Sequence, residues 1–290
     1  MSTFTKVYTI EEIKNLEHKL QESQCEKRKT PPYAHYQYKT SDCTITAYES
    51  GKVVFQGEGA SFYVENIKQN TSSTNTFPQY GSDEVGTGDY FGPVVVCAVQ
   101  IKEANLEVLK SLKIMDSKAL SDAQIEKIAP VLMKELVYSH LILDNVKYNQ
   151  VHEHNNMNAI KAKLHNKAYV HLQNKVQTSL SNIIVDQFTP EKNYYTYIKD
   201  EPIIINNIHF ETKAENKYLS VACASIIARY YFLLYFKKLS AHYEFDFPKG
   251  AGSNVDEKAK QFVLKYGWDE MYKVCKLHFK NSDKVKETVL

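Results

Sequence analysis

A polar, non-periodic stretch at residues 70–79, NTSSTNTFPQ, divides the chain into two segments of different character. It contains a proline and no spacing of apolar residues that would bury one face, which is typical of a linker. The segment before it is rich in β-forming residues, whereas the segment after it alternates apolar runs with helical patterns. We therefore predict two domains, residues 1–66 and 79–290, joined by a linker at residues 67–78.

The first domain is expected to combine one helix with a small antiparallel sheet. Thr9 and Glu12 are spaced as a capping box, which predicts a helix that ends before Pro31. Four stretches between residues 36 and 64 are predicted strands separated by glycine turns: YQYK, CTITAY, KVVFQG and SFYV. Most tyrosines on these strands are expected to pack in the core, and the result is a compact α+β domain.

The second domain shows the alternation of an α/β fold. Predicted strands end near Asp83 and cover residues 93–101, 136–143 and 182–186. Predicted helices cover residues 103–113, 122–134, 156–177 and 215–239. The last of these has apolar residues at helical spacing, with small residues between them that allow close packing. We expect it to be the central helix of the domain.

Composition excludes several classes of protein. The chain has 290 residues, a net charge of +2 and five scattered cysteines without a CxxC pair, so neither a zinc ribbon nor a disulfide scaffold is expected. Its N-terminus is polar and its apolar runs are short, which predicts a cytoplasmic protein with reduced thiols and no membrane contact. Only two residues are arginine, Arg28 and Arg229. Lysine suits phosphate contact better than base reading, so any nucleic acid is expected to be recognised by backbone and shape.

Two adjacent acids, Asp83 and Glu84, precede a glycine-rich turn in the stretch YGSDEVGTGDYFGP, residues 80–93. The turn lacks the third glycine of a dinucleotide-binding loop and leads into a strand instead of a helix. Farther on, Asp186 follows an apolar run and Glu215 opens the long predicted helix. Taken singly, these acids are explained by a solvated turn, a strand-end cap and a helix start.

Taken together, the four acids indicate a metal site. Carboxylates that converge from strand ends and a helix start repel one another unless a cation lies between them. Mg²⁺ or Mn²⁺ suits such oxygen ligands, and two such ions can clamp a phosphoryl displacement. This pattern is typical of a nuclease.

Six stretches from about residue 80 onward together resemble one known family. They are GSDEVGTGDYFGP, MDSKALS, NNMNAIKAKLHNKA, IIVDQF, KAENKYLSVACASIIAR and FPKGAG. They resemble bacterial ribonuclease HIII, a relative of ribonuclease HII. The resemblance implies an α/β, RNase H-like catalytic domain with a mixed sheet and flanking helices. A small α+β domain similar to TATA-binding protein would precede it and help to hold substrate.

The resemblance also implies the reaction, which is hydrolysis of the RNA strand of RNA/DNA hybrids to leave 5′-phosphate and 3′-hydroxyl ends. The metal-binding catalytic residues that it implies are Asp83, Glu84, Asp186 and Glu215, with Asp83 bridging two Mg²⁺ or Mn²⁺ ions. Glutamate at position 215, where ribonuclease HII usually has aspartate, points to the type III branch.

Substrate contacts follow from the same resemblance. Main-chain groups of Gly86, Thr87 and Gly88 would lie against RNA 2′-hydroxyls, and Ser117 and Lys118 would contact backbone phosphate. Ribonuclease HII has arginine at the position of Thr87, so poor cleavage at single embedded ribonucleotides is expected. Lys118 as a solvated loop lysine is an equally weighted alternative.

Two other functions stay open on the residues alone. A DNA-directed nuclease of the RNase H-like group, such as a junction resolvase, would share the carboxylates, and a hybrid-binding protein without catalysis would use them as a structural cation site. His152 and His154 form an HxH pair in a segment predicted as loop, and metal ligation there is disfavoured. A monomer is the default expectation, because no coiled-coil segment is present.

Overall fold

The chain folds into two compact units, residues 1–74 and 75–290, which are described separately. The computed structural model describes residues 2–22, 25–61, 63–64, 76–114 and 120–289. The predicted linker at residues 67–78 lies mostly outside these ranges, and its limits stay a prediction. Ser117 and Lys118, the predicted phosphate contacts, also lie outside them.

The first unit is an antiparallel sheet with a helix packed on one face. Its strands are β1 (Ser2–Val7), β2 (Glu26–Lys27), β3 (Ala34–Lys39), β4 (Cys43–Tyr48) and β5 (Lys52–Gly57), in the order β1-β5-β4-β3-β2. Helix α1 (Ile10–Glu22) begins at the predicted capping box, where the Thr9 N–H donates to Glu12 Oε2 at 2.6 Å. The apolar stripe of α1 is buried in the same core as Tyr36 and Tyr38. The predicted α+β architecture is therefore confirmed.

One predicted strand of this unit is wrong, and two strands, β1 and β2, were not predicted. Residues 60–61 and 63–64, within the stretch SFYV and just before it, are helical. The missed strand β1 pairs with β5, which pairs with β4 on its other side, so neither edge of β5 accepts a further strand. Ala60 and Val64 are both buried and lie four positions apart, which is the spacing of one helical face.

The second unit has a mixed sheet, as predicted, with a fifth strand, residues 208–211, that was not predicted. Its strands are β6 (Gln79–Val85), β7 (Val94–Ile101), β8 (Val137–Leu143), β9 (Ile183–Asp186) and β10 (Ile208–Glu211), in the order β10-β9-β6-β7-β8. Pairs β6–β7 and β7–β8 are antiparallel, and pairs β6–β9 and β9–β10 are parallel. The change from antiparallel to parallel pairing occurs at β6, the strand that carries the paired acids.

Helices cover both faces of this sheet. They are α2 (Leu106–Ser111), α3 (Asp122–Glu135), α4 (Asn145–His152), α5 (Met157–Val176), α6 (Glu191–Ile198), α7 (Leu219–Tyr243), α8 (Ser253–Tyr266), α9 (Met271–Val274) and α10 (Lys280–Val289). Helix α4 replaces the loop predicted around His152, because Asp144 caps its first turn by accepting from the Lys147 N–H at 2.8 Å. The His152 ring stacks on His278, with centroids 4.0 Å apart.

Burial of β7 on both faces explains why residues 94–99 form an unbroken apolar run. Alternate residues Val95, Cys97 and Val99 belong to one core cluster with α7. The residues between them, Val96 and Ala98, belong to a second cluster with α5. A strand that is buried on both faces needs apolar side chains at every position.

Helix α7 is the central helix, and it lies unusually close to β6. A Cβ added at Gly81 of β6 would lie 2.4 Å from both Ser220 Oγ and Val221 N of the helix. The predicted role of small residues in close packing is thus confirmed. Helix α7 is long and apolar enough to span a membrane by length and composition, but 61% of its most apolar window is buried inside the protein, as in a core helix.

Candidate active site

Asp83 and Asp186 come together because their strands are parallel neighbours. Ser82 of β6 is the Cα partner of Val185 of β9, so the following residue in each strand is an aspartate at the same level of the sheet. Both side chains line one cavity of about 280 Å³. The sequence prediction that these two acids converge is confirmed by their positions in the structure.

Glu215 lines the same cavity, but it does not open the long helix. It lies in a 3-10 turn, Ala214–Asn216, and α7 begins only at Leu219. Asp186 fixes that turn, since its Oδ1 accepts from the Ala214 N–H at 2.8 Å. The carboxylate of one predicted ligand therefore positions the segment that carries another, and a helix dipole is not the reason for the acid at position 215.

Glu84 points away from this cavity into a buried polar cluster. Its carboxylate forms an ion pair with Lys161, and His165 Nε2 lies 2.9 Å from its Oε2. His165 Nδ1 is 2.7 Å from Ser82 Oγ, so the imidazole links two residues of β6. The structure brings three of the four predicted acids to one cavity and holds the fourth beside it, in contact with α5.

Sequence reasoning assigned no role to Lys161 and His165. Both lie in the stretch NNMNAIKAKLHNKA and are spaced four residues apart, so they occupy the same face of α5. A lysine and a histidine on a helix face that is otherwise apolar indicate a buried acidic partner. That signal was available in the sequence, although it does not identify Glu84 as the partner.

The surroundings of the acids shift their pKa values in different directions. Burial raises the pKa of Asp83 well above its ordinary value, and the nearby Glu84 and Asp186 carboxylates raise it further. Burial also raises the pKa of Asp186, and Glu215 and Glu84 add to this shift. Burial alone would raise the pKa of Glu84 too, but His165 and Lys161 outweigh it and lower that pKa.

The donor set around the cavity fits a divalent metal ion. All three acids offer hard oxygen atoms, and a cation between them would remove the cost of charging Asp83 beside Asp186. Over the described ranges, no three acidic, histidine or cysteine side chains are already close enough together to hold an ion.

One cation also borders the cavity. Arg229 of α7 lines it, and its guanidinium donates to Leu120 O at 2.9 Å and to Asp122 Oδ1 at 2.7 Å. Lys249 forms a second ion pair with Asp122. Arg229 ends the stretch KAENKYLSVACASIIAR and is one of only two arginines, but the sequence alone indicated no function for it.

The glycine-rich turn, residues 86–92, connects β6 to β7 next to the acids. Gly86 is buried with a φ of 92°, and Gly92 has a φ of 76°, a backbone region that favours glycine. Thr87 is half-buried and Gly88 is exposed, so the middle of the turn faces solvent beside the predicted metal-binding acids. Of the three predicted substrate-binding residues of the turn, Thr87 and Gly88 are accessible and Gly86 is buried.

Comparison with known proteins agrees with this geometry. A family model described as "Ribonuclease HII" matches residues 80–282, and one described as "Domain of unknown function (DUF3378)" matches residues 5–79. Ribonuclease HIII of Bacillus mycoides (strain KBAB4) is 41% identical over 278 residues, which cover 88% of this chain and 89% of that protein. The chain belongs to the ribonuclease HIII family. Ribonuclease HIII of Bacillus pumilus (strain SAFR-032) is 40% identical over 277 residues, covering 89% of this chain and 90% of that protein.

A solved structure of the family gives the same fold. The crystal structure of Bst-RNase HIII in complex with Mn²⁺ matches with a TM-score of 0.73 and 34% identity, and it covers 99% of both chains. The RNase HIII fold, with a small N-terminal domain before the RNase H-like domain, is thereby confirmed. As a ribonuclease HIII, the chain is an enzyme of the ribonuclease H type, an endoribonuclease that hydrolyses ester bonds.

Proposed function

We propose that this ribonuclease HIII hydrolyses the RNA strand of RNA/DNA hybrids with divalent metal ions held by Asp83, Glu84, Asp186 and Glu215. The observation that carries the proposal is the meeting of Asp83, Asp186 and Glu215 around one cavity beside the glycine-rich turn. When bound, Mg²⁺ or Mn²⁺ would activate a water and stabilise the leaving oxygen, which leaves 5′-phosphate and 3′-hydroxyl ends. Mn²⁺ is present in the Bst-RNase HIII complex.

Three of the four acids have different roles in this proposal. Asp83 is the central ligand in this proposal, since it lies next to Glu84 in sequence and beside Asp186 across the sheet. Glu84 is kept ionised by Lys161 and His165 and would join the metal site from its buried cluster. Asp186 would have two tasks, because it holds the Glu215 turn through the Ala214 N–H and would also be a metal ligand.

Substrate selection is assigned to the glycine-rich turn. Main-chain groups of Gly86, Thr87 and Gly88 would contact RNA 2′-hydroxyls, the group that separates RNA from DNA. Ser117 and Lys118 would contact backbone phosphate, and the first unit would help to hold the duplex. Thr87 provides no cation, which supports poor cleavage at single embedded ribonucleotides. We place this activity in the cytoplasm, in a monomer without membrane contact.

The first test is a gel assay on one RNA/DNA hybrid with each strand end-labelled in turn. Metal-dependent cutting of the RNA strand alone, in Mg²⁺ or Mn²⁺ and not with chelator, is the expected result. Cutting of a DNA duplex would favour a DNA-directed nuclease. An intact hybrid in every lane, from folded protein, would favour a hybrid-binding protein without catalysis.

The second test separates catalysis from binding. Asp186→Asn should lower cleavage by at least about a hundredfold while hybrid binding persists, because a metal ligand is lost and the duplex contacts are kept. Asp200→Asn is the matched control, since it makes the same change at an exposed position. Wild-type activity in Asp186→Asn would contradict the proposed site.

A further inference from the structure

Lys276 is buried without any exposed surface, although lysine is among the residues least often found inside proteins. Its ammonium group donates to two main-chain carbonyls, Asp89 O at 2.7 Å and Gly92 O at 2.6 Å. Both carbonyls belong to the glycine-rich turn. Burying a lysine costs free energy, and here its hydrogen bonds go to two carbonyls of one turn. This indicates a role beyond packing.

The whole segment around Lys276 is joined to the same turn. The Lys276 N–H donates to Tyr90 O at 2.8 Å, and the Gly92 N–H donates to Val274 O at 2.9 Å. Phe91 and Cys275 form an antiparallel bridge. Residues 274–276 therefore act as a short extra strand behind residues 90–92.

A second side chain reaches the same turn from another direction. Asn145, the first residue of α4, donates from Nδ2 to Gly92 O at 2.8 Å. Gly92 O thus accepts from both Lys276 and Asn145, which come from elements far apart in the chain. Two buried donors on one carbonyl fix the plane of that peptide group.

The contacts lie at one end of the turn only. Residues 89–92 are held by Lys276, Asn145 and the strand-like segment, whereas Gly88 is exposed. Within the turn itself, the Asp89 N–H donates to Gly86 O at 3.4 Å. Gly250 is bonded to the held end as well, since its N–H donates to Asp89 Oδ1 at 2.5 Å and its O accepts from the Tyr90 N–H at 2.9 Å. These contacts with residues 89–92 therefore set the direction in which the main-chain groups of residues 87 and 88 point.

We infer that Lys276 is a positioning residue for substrate selection, which holds the main chain of the glycine-rich turn in the orientation that distinguishes an RNA/DNA hybrid from a DNA duplex. Asn145 supports it at the shared carbonyl. The inference rests on the proposed function of the turn and adds to it the residues that make the turn rigid. Lys276 donates to the main chain of the turn, so in this inference it acts on the substrate only through the turn.

The test is Lys276→Met, which keeps the volume of the side chain and removes both donors. The readouts are kcat and KM on an RNA/DNA hybrid, and the ratio of dissociation constants for the hybrid and a DNA duplex of the same sequence. We expect KM to rise by about tenfold and the preference for hybrid to fall by about tenfold, with kcat changed less than about twofold. Lys284→Met is the matched control, because Lys284 is exposed and forms an ion pair with Asp256.

A merely structural lysine would lower thermal stability without moving the preference for hybrid. A folded Lys276→Met protein with the wild-type preference would therefore overturn the inference. If Lys276→Met does not fold, Asn145→Leu tests the same carbonyl from α4, and it should lower the preference in the same direction by about threefold. A wild-type preference in Asn145→Leu would likewise overturn the inference.

Failure of the proposed function gives a different result. Wild-type protein that binds hybrid no better than DNA duplex, or that cuts neither, would defeat the proposed function itself. A wild-type preference that the folded variants all retain would defeat only the role of Lys276.

Discussion

Two glycines of the turn provide a matched pair of alanine substitutions. A Cβ at Gly88 would meet nothing within 4 Å, whereas a Cβ at Gly86 would lie 2.1 Å from Pro93 O and 2.9 Å from Phe232 Cε2. Gly86 also has a φ of 92°. The same methyl group is therefore free of contacts at one position and overlaps the protein at the other.

The two variants should differ sharply in stability. Gly86→Ala should lose about 2–5 kcal/mol of the free energy of unfolding, from backbone strain of about 1–2 kcal/mol and overpacking of about 1–3 kcal/mol. Gly88→Ala should stay within about 0.5 kcal/mol of the wild type. Urea denaturation measures both values. A Gly86→Ala protein as stable as the wild type would refute the steric reasoning.

The functional result for Gly88→Ala decides whether the turn meets RNA. A methyl group on a peptide that lies against a ribose would push the sugar away, so kcat/KM for hybrid cleavage should fall by at least about tenfold, or about 1.4 kcal/mol. Stability and metal binding should not change. Wild-type cleavage by the stable Gly88→Ala protein would refute a contact between Gly88 and the RNA strand.

Three further outcomes are expected. Thr87→Arg should raise cleavage at a single ribonucleotide embedded in DNA, measured against cleavage of a continuous hybrid by the same protein, and an unchanged ratio would contradict a role for position 87. His165→Leu should cost about 2–4 kcal/mol in urea denaturation, because Glu84 and Ser82 both lose a buried partner, whereas His154→Leu, at an exposed position, should cost less than about 0.5 kcal/mol. Burial lowers the pKa of Lys276 to about 7 from its ordinary 10.5, so the folded protein holds this proton less tightly than the unfolded chain. The stability of wild type relative to Lys276→Met should then rise with pH between about 7 and 10.5, by up to about 5 kcal/mol, and parallel curves in urea denaturation would disprove it.

The elements that could be predicted from the sequence are those whose local residue pattern agrees with their surroundings in the fold. The run VVVCAVQI predicts a doubly buried strand, and the acid at the predicted strand end, Asp83, lines the cavity. The capping box at Thr9 predicts the start of α1 for the same reason, since it depends on contacts within one turn.

Prediction failed where distant parts of the chain decide the structure. The stretch SFYV has strong β-formers, but β4 pairs with one edge of β5, and β1, from the start of the chain, pairs with the other. Glu215 precedes a long helical pattern, yet the Asp186 carboxylate holds it in a separate 3-10 turn. The orientation of Glu84 depends on Lys161 and His165, which lie more than seventy positions later in the chain. Nothing in the sequence next to these two residues identifies Glu84 as their partner.

The bond between Lys276 and Gly92 O joins positions 184 residues apart, which has a consequence for the order of synthesis. A ribosome adds all four acids and the glycine-rich turn before it adds the segment that clamps the turn. A nascent chain that has passed Glu215 but not Lys276 thus carries every proposed metal ligand without the support for RNA selection. If the inference about Lys276 holds, the support for hybrid selection is therefore the last part of the site to be synthesised.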